Sequence, residues 1–272
     1  MATKNHDYHI LPPSPWPISI SLSVFIMAVG GVMWMHEYAA GGLTFFIGLT
    51  GVLAILYCWW SDVVREAHKG DHTPVVQLHM RYGMILFIAY EVMFFVGWFW
   101  AFFDFALFPS ALAPIEGQFP SKGIEVIDPF ELPLLNTMIL LCSGTTLTWA
   151  HHALINGNRD GLKKGLWCTV LLGGLFLAIQ AYEYSHAPFP FGETPYSSAF
   201  YMATGFHGFH VLVGVIFLTV NLVRAYKGHF TARQHFGFEA AAWYWHFVDV
   251  VWLFLFCAIY VWGGWGAPVH GG

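Results

Sequence analysis

Residues 82–105 read YGMILFIAYEVMFFVGWFWAFFDF and contain only two charged side chains, Glu91 and Asp104. A helix needs about 20 mostly apolar residues to cross the hydrocarbon core of a bilayer, so this stretch is long enough to span a membrane. Six further stretches of the chain have the same character. The seven predicted spans are residues 16–35, 43–60, 82–105, 134–151, 166–184, 198–223 and 240–262. The chain is therefore predicted to be an all-α integral membrane protein with a single membrane domain over residues 1–272.

The composition supports a membrane protein and argues against other classes. Of the 272 residues, 57% are hydrophobic and 10% are charged, whereas soluble proteins carry about a quarter charged residues. The net charge of −5 is small and indicates that nucleic acid is not a partner. Four cysteines occur singly inside apolar segments and are expected to be small buried hydrophobic residues, not disulfides or metal ligands. They are Cys58, Cys142, Cys168 and Cys257.

The basic residues predict how the chain is oriented. With the N-terminus on the cytoplasmic or matrix side, ten of the eleven Lys and Arg residues fall on that side, and only Lys122 falls opposite. The ten are Lys4, Arg65, Lys69, Arg81, Arg159, Lys163, Lys164, Arg224, Lys227 and Arg233. Positive residues concentrate on the inner side of membrane proteins, which places the C-terminus outside.

Glu91 lies in the middle of the third predicted span. Ionisable groups at membrane depth are costly and usually face protein, water or a partner. One interpretation is a proton relay or ion site. The other, which we favour because a relay needs a chain of such groups, is a carboxyl hydrogen-bonded to a neighbouring helix.

A second set of polar residues lies in the last three predicted spans. His207 and His210 are three residues apart, as are His246 and Asp249, so each pair shares one helix face. Imidazole is the commonest metal ligand, which makes a metal or haem site one hypothesis. A hydrogen-bond network between helices is the alternative. The full set is Glu183, His186, His207, His210, Glu239, His246 and Asp249.

Two loops on the basic side of the membrane have a different composition. The segment WWSDVVREAHKGDHTP follows the second span, and RAYKGHFTARQH follows the sixth. Both combine basic residues and histidine just beyond an apolar helix end. Such clusters can hold lipid phosphates, although ordinary positive-inside charge with an interfacial Trp belt has the same composition.

Several long blocks, in order along the chain, resemble the cytochrome c oxidase subunit III family. They include WWSDVVRE (59–66), LTWAHHA (147–153), ATGFHGFHV (203–211) and FEAAAWYWHFVDVVWLFLF (238–256). The resemblance covers about residues 6–264 and keeps the seven-span layout of the family. It implies an accessory subunit of an oxidase that moves electrons from cytochrome c to oxygen and pumps protons. This chain would hold no redox centre and no metal, because haem and copper belong to partner subunits.

The resemblance also implies site residues and partners. The first two helices would pack apart from the other five around a cleft filled with phospholipid. By matching positions, the residues near lipid headgroups would be Trp59, Trp60, Arg65, Glu66, His72, Arg224, Lys227, His229 and Thr231. Glu91 would correspond to the buried carboxyl of the family, next to Tyr90 where the family usually has Ser. The expected partners are the catalytic subunit I, and also subunit II. The expected role is to stabilise subunit I and to support proton uptake.

Two rival functions stay open at this point. An autonomous redox protein could hold haem between His210 and His246, and a transporter could use Glu91, Glu183 and Asp249. Transporters often contain internal repeats, and none is evident here. The resemblance lowers the expectation of a metal at the histidines and makes the hydrogen-bond network the default. The expected location is an energy-coupling membrane, with the bacterial inner membrane favoured over the mitochondrial one because of the tail GAPVHGG.

Overall fold

The computed structural model describes residues 7–109, 119–121 and 123–270. Lys4 and Lys122, which entered the prediction of orientation, lie outside the described residues, as do the last two residues of the C-terminal tail. The orientation of the chain in the membrane stays a prediction.

Seven helices in the described part of the chain are long and apolar enough to cross a membrane, which confirms the predicted fold class. In chain order they are α1 (Trp16–Met35), α2 (Gly41–Lys69), α3 (Pro74–Leu107), α4 (Leu132–Ile155), α5 (Arg159–His186), α6 (Pro195–Tyr226) and α7 (Phe236–Leu255). A π-helical segment, Phe256–Trp262, continues α7. Among the described residues, β pairing is limited to one isolated parallel bridge between Val126 and Val269.

Most helices extend beyond the predicted spans, and some of their ends are set by capping groups. The helix α2 continues to Lys69 and stops at Gly70, which has a left-handed φ of 84°. The helix α6 begins with a capping box formed by Thr194 and Ser197. The Thr194 hydroxyl accepts a hydrogen bond from the Ser197 amide at 3.0 Å, and Ser197 Oγ accepts one from the Thr194 amide at 3.1 Å. Hydropathy identifies the apolar part of each helix and does not locate such caps.

The described chain divides into two compact units, one within Met1–Met80 and one within Arg81–Gly272. The first contains α1, α2 and the start of α3, and the second contains the rest of α3 and α4 to α7. The expected lipid-filled cleft, with the first two helices packed apart from the others, stays a prediction.

In the first unit, α1 and α2 approach each other through glycine. Gly30 and Gly48 are buried, and a Cβ atom built on Gly30 would lie 2.2 Å from the Phe45 backbone nitrogen. Small residues let membrane helices come close enough for extensive van der Waals contact. Around this contact, the Trp34 ring packs on Phe45 with ring centroids 5.8 Å apart.

In the second unit, two buried tryptophans fill the space between α4 and α7. The Trp245 indole N–H donates to Ser143 Oγ at 2.9 Å, and the Trp252 indole N–H donates to Thr137 Oγ1 at 2.8 Å. Gly214 on α6 leaves room for the Trp245 ring, since a Cβ there would lie 2.7 Å from it. Each large ring is therefore buried between helices, and its one polar atom is hydrogen-bonded.

The prediction that the cysteines are buried is wrong. Cys58, Cys142, Cys168 and Cys257 are all exposed and unpaired by disulfide on the isolated chain. A membrane helix presents apolar residues to lipid as well as to its neighbours, so an apolar setting in sequence does not imply burial in the protein.

Adjacent glycines on α1 provide a test of the α1–α2 contact. We expect Gly30→Ala to lower the free energy of unfolding by about 2–3 kcal/mol, because the added methyl group meets the α2 backbone. At Gly31 the added atom would lie 3.6 Å from the Phe45 ring, an ordinary contact, so Gly31→Ala should be neutral or slightly stabilising. The measurement is unfolding of the purified chain in mixed micelles at increasing SDS. Equal midpoints for the two variants would contradict the packing.

Candidate functional site

Glu91 on α3 and His210 on α6 form a contact between helices. Glu91 Oε2 lies 2.9 Å from His210 Nε2. His210 Nδ1 lies 2.6 Å from the Phe206 carbonyl oxygen, which can only accept, so Nδ1 carries a proton. One further proton must therefore lie between Nε2 and the carboxyl group. The His210 ring also packs on Phe95 at 4.9 Å between centroids, so the pair is largely shielded.

His207 and His210 share a helix but face different partners. The His207 side chain is fully buried, and its Nε2 donates to the Val248 carbonyl of α7 at 3.1 Å. Its ring lies 5.0 Å from the Trp252 ring, and its Nδ1 has no hydrogen-bond partner among the described residues. The i, i+3 spacing thus does not bring the two imidazoles to one ligand.

His246 and Asp249 on α7 meet each other next to α4. His246 Nδ1 lies 3.5 Å from Asp249 Oδ2, and His246 Nε2 lies 3.4 Å from Thr148 Oγ1. Gly144 makes room for the carboxylate, since a Cβ there would lie 2.4 Å from Asp249 Oδ2. Both ring nitrogens of His210 and both of His246 are thus in polar contacts with this chain.

Glu183 belongs to a buried hydrogen-bond network near the C-terminal end of α5. Its Oε1 accepts from the Tyr260 hydroxyl at 2.7 Å and from Gln180 Nε2 at 2.9 Å. Asn136 Nδ2 donates to Gln180 Oε1 at 3.3 Å, which extends the network to α4. His186, which the sequence grouped with Glu183, is exposed and stacks on Tyr182 at 4.2 Å.

Glu239, in the first turn of α7, is held by a basic residue of α3. Arg81 Nε donates to Glu239 Oε2 at 2.9 Å, and Arg81 Nη2 donates to Oε1 at 3.3 Å. Such two-point pairing fixes the orientation of a carboxylate. His235 Nε2 lies 3.5 Å from Glu239 Oε1. Arg81 entered the sequence argument only as a charge on the inner side, and its role as an interhelical partner was missed.

The predicted headgroup residues of the first unit lie at the end of α2 and in the following link. Trp59 is half-buried and Trp60 exposed, Arg65 and Glu66 occupy the last turns of α2, and His72 follows the helix. Arg65 Nη1 donates to Asp62 Oδ1 at 2.8 Å. The other oxygen of Asp62 accepts from the Trp16 indole of α1 at 2.9 Å. Sequence reasoning missed Asp62, although its i, i+3 spacing from Arg65 is a usable signal.

The predicted headgroup residues of the second unit lie where α6 ends. The Arg224 guanidinium sits 4.6 Å from the Phe230 ring centroid, and its buried Nε has no hydrogen-bond partner among the described residues. Gly237 leaves room for it, because a Cβ there would lie 2.5 Å from Arg224 Nη1. Lys227 is the C-cap residue of α6 and is exposed, and His229 is half-buried.

The link from α6 to α7 has a fixed shape that sequence reasoning did not foresee. Gly228 turns the chain with a left-handed φ of 74°. Arg159, at the start of α5, donates to the Phe230 carbonyl at 3.0 Å. Thr231 Oγ1 accepts from the Gln234 amide at 3.0 Å, and the Thr231 carbonyl accepts from His235 Nδ1 at 3.0 Å. These bonds fix the link at Phe230, Thr231 and His235, just beyond Arg224 and Lys227 at the end of α6.

Comparison with known proteins gives a consistent result. Residues 6–264 match the family model described as cytochrome c oxidase subunit III. The chain is 53% identical to cytochrome c oxidase subunit 3 of Arabidopsis thaliana over 263 residues, which cover 96% of this chain and 98% of the relative. It is 51% identical to the protein of the same name from Coturnix japonica over 264 residues, which cover 97% and 100%. The corresponding protein of Syncerus caffer is 50% identical over 264 residues.

The Glu91–His210 contact can be tested by stability measurements. We expect Glu91→Ala to lower the free energy of unfolding by about 1–3 kcal/mol, because it leaves His210 Nε2 without its partner. Glu91→Gln should cost less, since an amide can donate to that nitrogen. The measurement is SDS unfolding of each purified variant, with and without His210→Ala.

Asp104 is a matched control, because it is an exposed carboxylate on the same helix. Asp104→Ala should be close to neutral. A Glu91→Ala variant as stable as Asp104→Ala would refute the contact. So would a Glu91→Ala substitution that lowers the free energy of unfolding by the same amount with and without His210→Ala.

Proposed function

The chain belongs to the cytochrome c oxidase subunit III family, and from that premise we propose that it binds structural phospholipids, stabilises the catalytic subunit and supports proton uptake. As a member of this family it is an accessory subunit of the cytochrome c oxidase complex. It assembles with other oxidase subunits, and the family has no redox centre of its own. It is a multi-pass membrane protein.

The observation that carries the lipid proposal is the state of Arg224. Among the described residues, no carboxylate forms an ion pair with this guanidinium, and its Nε is buried without a hydrogen-bond partner. A cation at the end of a membrane helix needs an anion or water, and a lipid phosphate supplies the anion at that depth. Lys227, His229 and Thr231 follow within the same link and would complete a headgroup site.

The first unit would supply a second headgroup site. Arg65 is exposed at the end of α2, and Trp60 is exposed five residues earlier. Aromatic rings favour the lipid interface, and basic side chains attract the phosphates there. Trp59, Glu66 and His72 belong to the same proposed site. Asp62 would hold Arg65 in place through the hydrogen bond already described.

Glu91 has a structural role in this proposal. Its carboxyl joins α3 to α6 through His210, and the other buried carboxyl groups, Glu183 and Asp249, are bound to their own neighbours. The chain would then support proton uptake by holding the catalytic subunit and not by conducting protons. Complete loss of pumping by a Glu91→Gln variant in an assembled complex would contradict this role.

The partners we propose are the catalytic subunit I, which would hold the haem and copper centres together with subunit II. An exposed apolar stripe on α3 is consistent with a partner subunit or bound lipid covering that face of the helix. Leu86, Met93, Trp100 and Leu107 recur every seven residues and are each more than half exposed on the isolated chain. We place the complex in an energy-coupling membrane, that of a bacterial cell in preference to that of a mitochondrion.

The headgroup site of the second unit can be tested with a double substitution. We expect Arg224→Ala with Lys227→Ala to reduce the phospholipid retained by the purified complex and to shorten its active lifetime during turnover. The reason is the loss of both cations at the end of α6. Bound lipid is measured by mass spectrometry, and lifetime by oxygen consumption until inactivation.

Lys164→Ala is the control, because it removes a cation from an exposed position on α5 outside the site. This control should retain lipid and lifetime. Unchanged lipid content and unchanged lifetime in the Arg224/Lys227 variant would refute the headgroup assignment.

A further inference from the structure

Three side chains that the proposed function does not use converge at one end of the second unit. His151 lies near the end of α4, His235 precedes α7, and Glu239 lies in the first turn of α7. A ligand atom from each lies within 4.8 Å of the others. We propose that His151, His235 and Glu239 bind a divalent transition-metal ion of the zinc class, as a structural or regulatory site without redox chemistry. No metal ligand is expected from the sequence, and the proposed site goes beyond the function proposed above.

The protonation of His235 is the first argument. Its Nδ1 lies 3.0 Å from the Thr231 carbonyl oxygen, which can only accept, so the proton of a neutral ring is on Nδ1. Its Nε2 lone pair then faces Glu239 Oε1 at 3.5 Å. Two acceptors facing each other need a cation between them. A backbone carbonyl that fixes the tautomer of a histidine is also the usual outer partner of a metal ligand.

His151 adds a third acceptor. Its Nε2 is buried and has no hydrogen-bond partner among the described residues. Its ring lies 5.5 Å from the His235 ring, at 69° between planes, and packs on Phe238 at 5.3 Å. A neutral imidazole can place a lone pair on Nε2, and that lone pair is unused here. One proton could satisfy the His235–Glu239 contact, but it could not also satisfy His151.

The His235–Glu239 spacing fits a small tetrahedral ion, and a His151 nitrogen lies within 4.8 Å of both ligand atoms. Zinc binds histidine nitrogen at about 2.0–2.1 Å and carboxylate oxygen at about 2.0–2.2 Å, so tetrahedral ligand atoms lie about 3.4 Å apart. The His235–Glu239 distance of 3.5 Å already agrees. Two histidines and one glutamate leave a fourth position for water. Arg81 binds both oxygens of Glu239 and so orients the carboxylate toward the site. It also neutralises part of the negative charge that Glu239 would offer the ion.

The location gives the site a consequence. All three residues keep partial exposure at the end of the bundle, with 9% of the His235 side chain and 15% of the Glu239 side chain accessible. That end is the one predicted to face the cytoplasm or matrix, where protons are taken up. A bound ion would join the end of α4 to the start of α7.

The test is zinc binding by the purified oxidase complex. After chelator treatment, equilibrium dialysis against Zn²⁺ is compared between the wild type and the variants His151→Gln and His235→Gln. We expect each variant to bind one zinc ion fewer than the wild type, or to bind it at least about tenfold more weakly, since even outer-shell changes cost that much. Zinc sites on partner subunits cancel in this difference.

His152→Gln is the control, because His152 is exposed and adjacent to His151 but outside the cluster. It should bind zinc as the wild type does. Equal binding by the wild type and both cluster variants overturns the proposal and leaves a protonated His235 paired with Glu239 as the explanation of the contact.

A second measurement covers variants that fail to assemble. In the wild-type complex, histidine modification by diethyl pyrocarbonate is followed by peptide mass spectrometry with and without Zn²⁺. We expect zinc to protect His151 and His235 and to leave His152 unprotected. Equal modification of all three in both conditions overturns the proposal.

Discussion

Polar groups at membrane depth must find their partners inside the protein, because lipid tails donate and accept no hydrogen bonds. This constraint explains why the polar residues of the chain occur in groups that join helices. Glu91 bonds to His210 between α3 and α6, and Glu183 bonds to Tyr260 between α5 and the end of α7. Each link fixes the rotation of two helices about their axes, which apolar contacts with interchangeable methyl groups do less well.

Close approach between helices is the second requirement, and small residues supply it. Gly144 admits the Asp249 carboxylate beside α4, and Gly214 admits the ring of Trp245 beside α6. The result is a densely packed second unit, in which 56% of the most apolar stretch within Phe236–Trp262 is buried. A packed scaffold of this kind suits the proposed role of the chain, which is to hold neighbouring subunits and lipids in place.

The fold was largely predictable from the sequence, whereas the pairing of the polar residues was not. Hydropathy identifies the seven spans because bilayer thickness demands about 20 apolar residues in each. It cannot locate caps such as Gly70 and Thr194, which end or begin helices outside the hydrocarbon. The spacing of His207 and His210 suggests one shared ligand, yet one ring faces the α7 backbone and the other faces Glu91. Which helices lie opposite each residue depends on packing, and local spacing carries no such information. Arg81 and Arg159 were missed as partners for the same reason.

The central claim is that this chain is an accessory oxidase subunit whose histidines hold no haem. The most direct measurement is purification of the complex through a tag on this chain in mild detergent, with absorption spectra recorded before and after the chain is stripped away. The account predicts that haem and copper co-purify with the tagged chain and stay with the larger subunits after stripping. Haem that remains on the isolated chain would contradict it, because His210 and His246 would then be ligands instead of partners of Glu91 and Asp249.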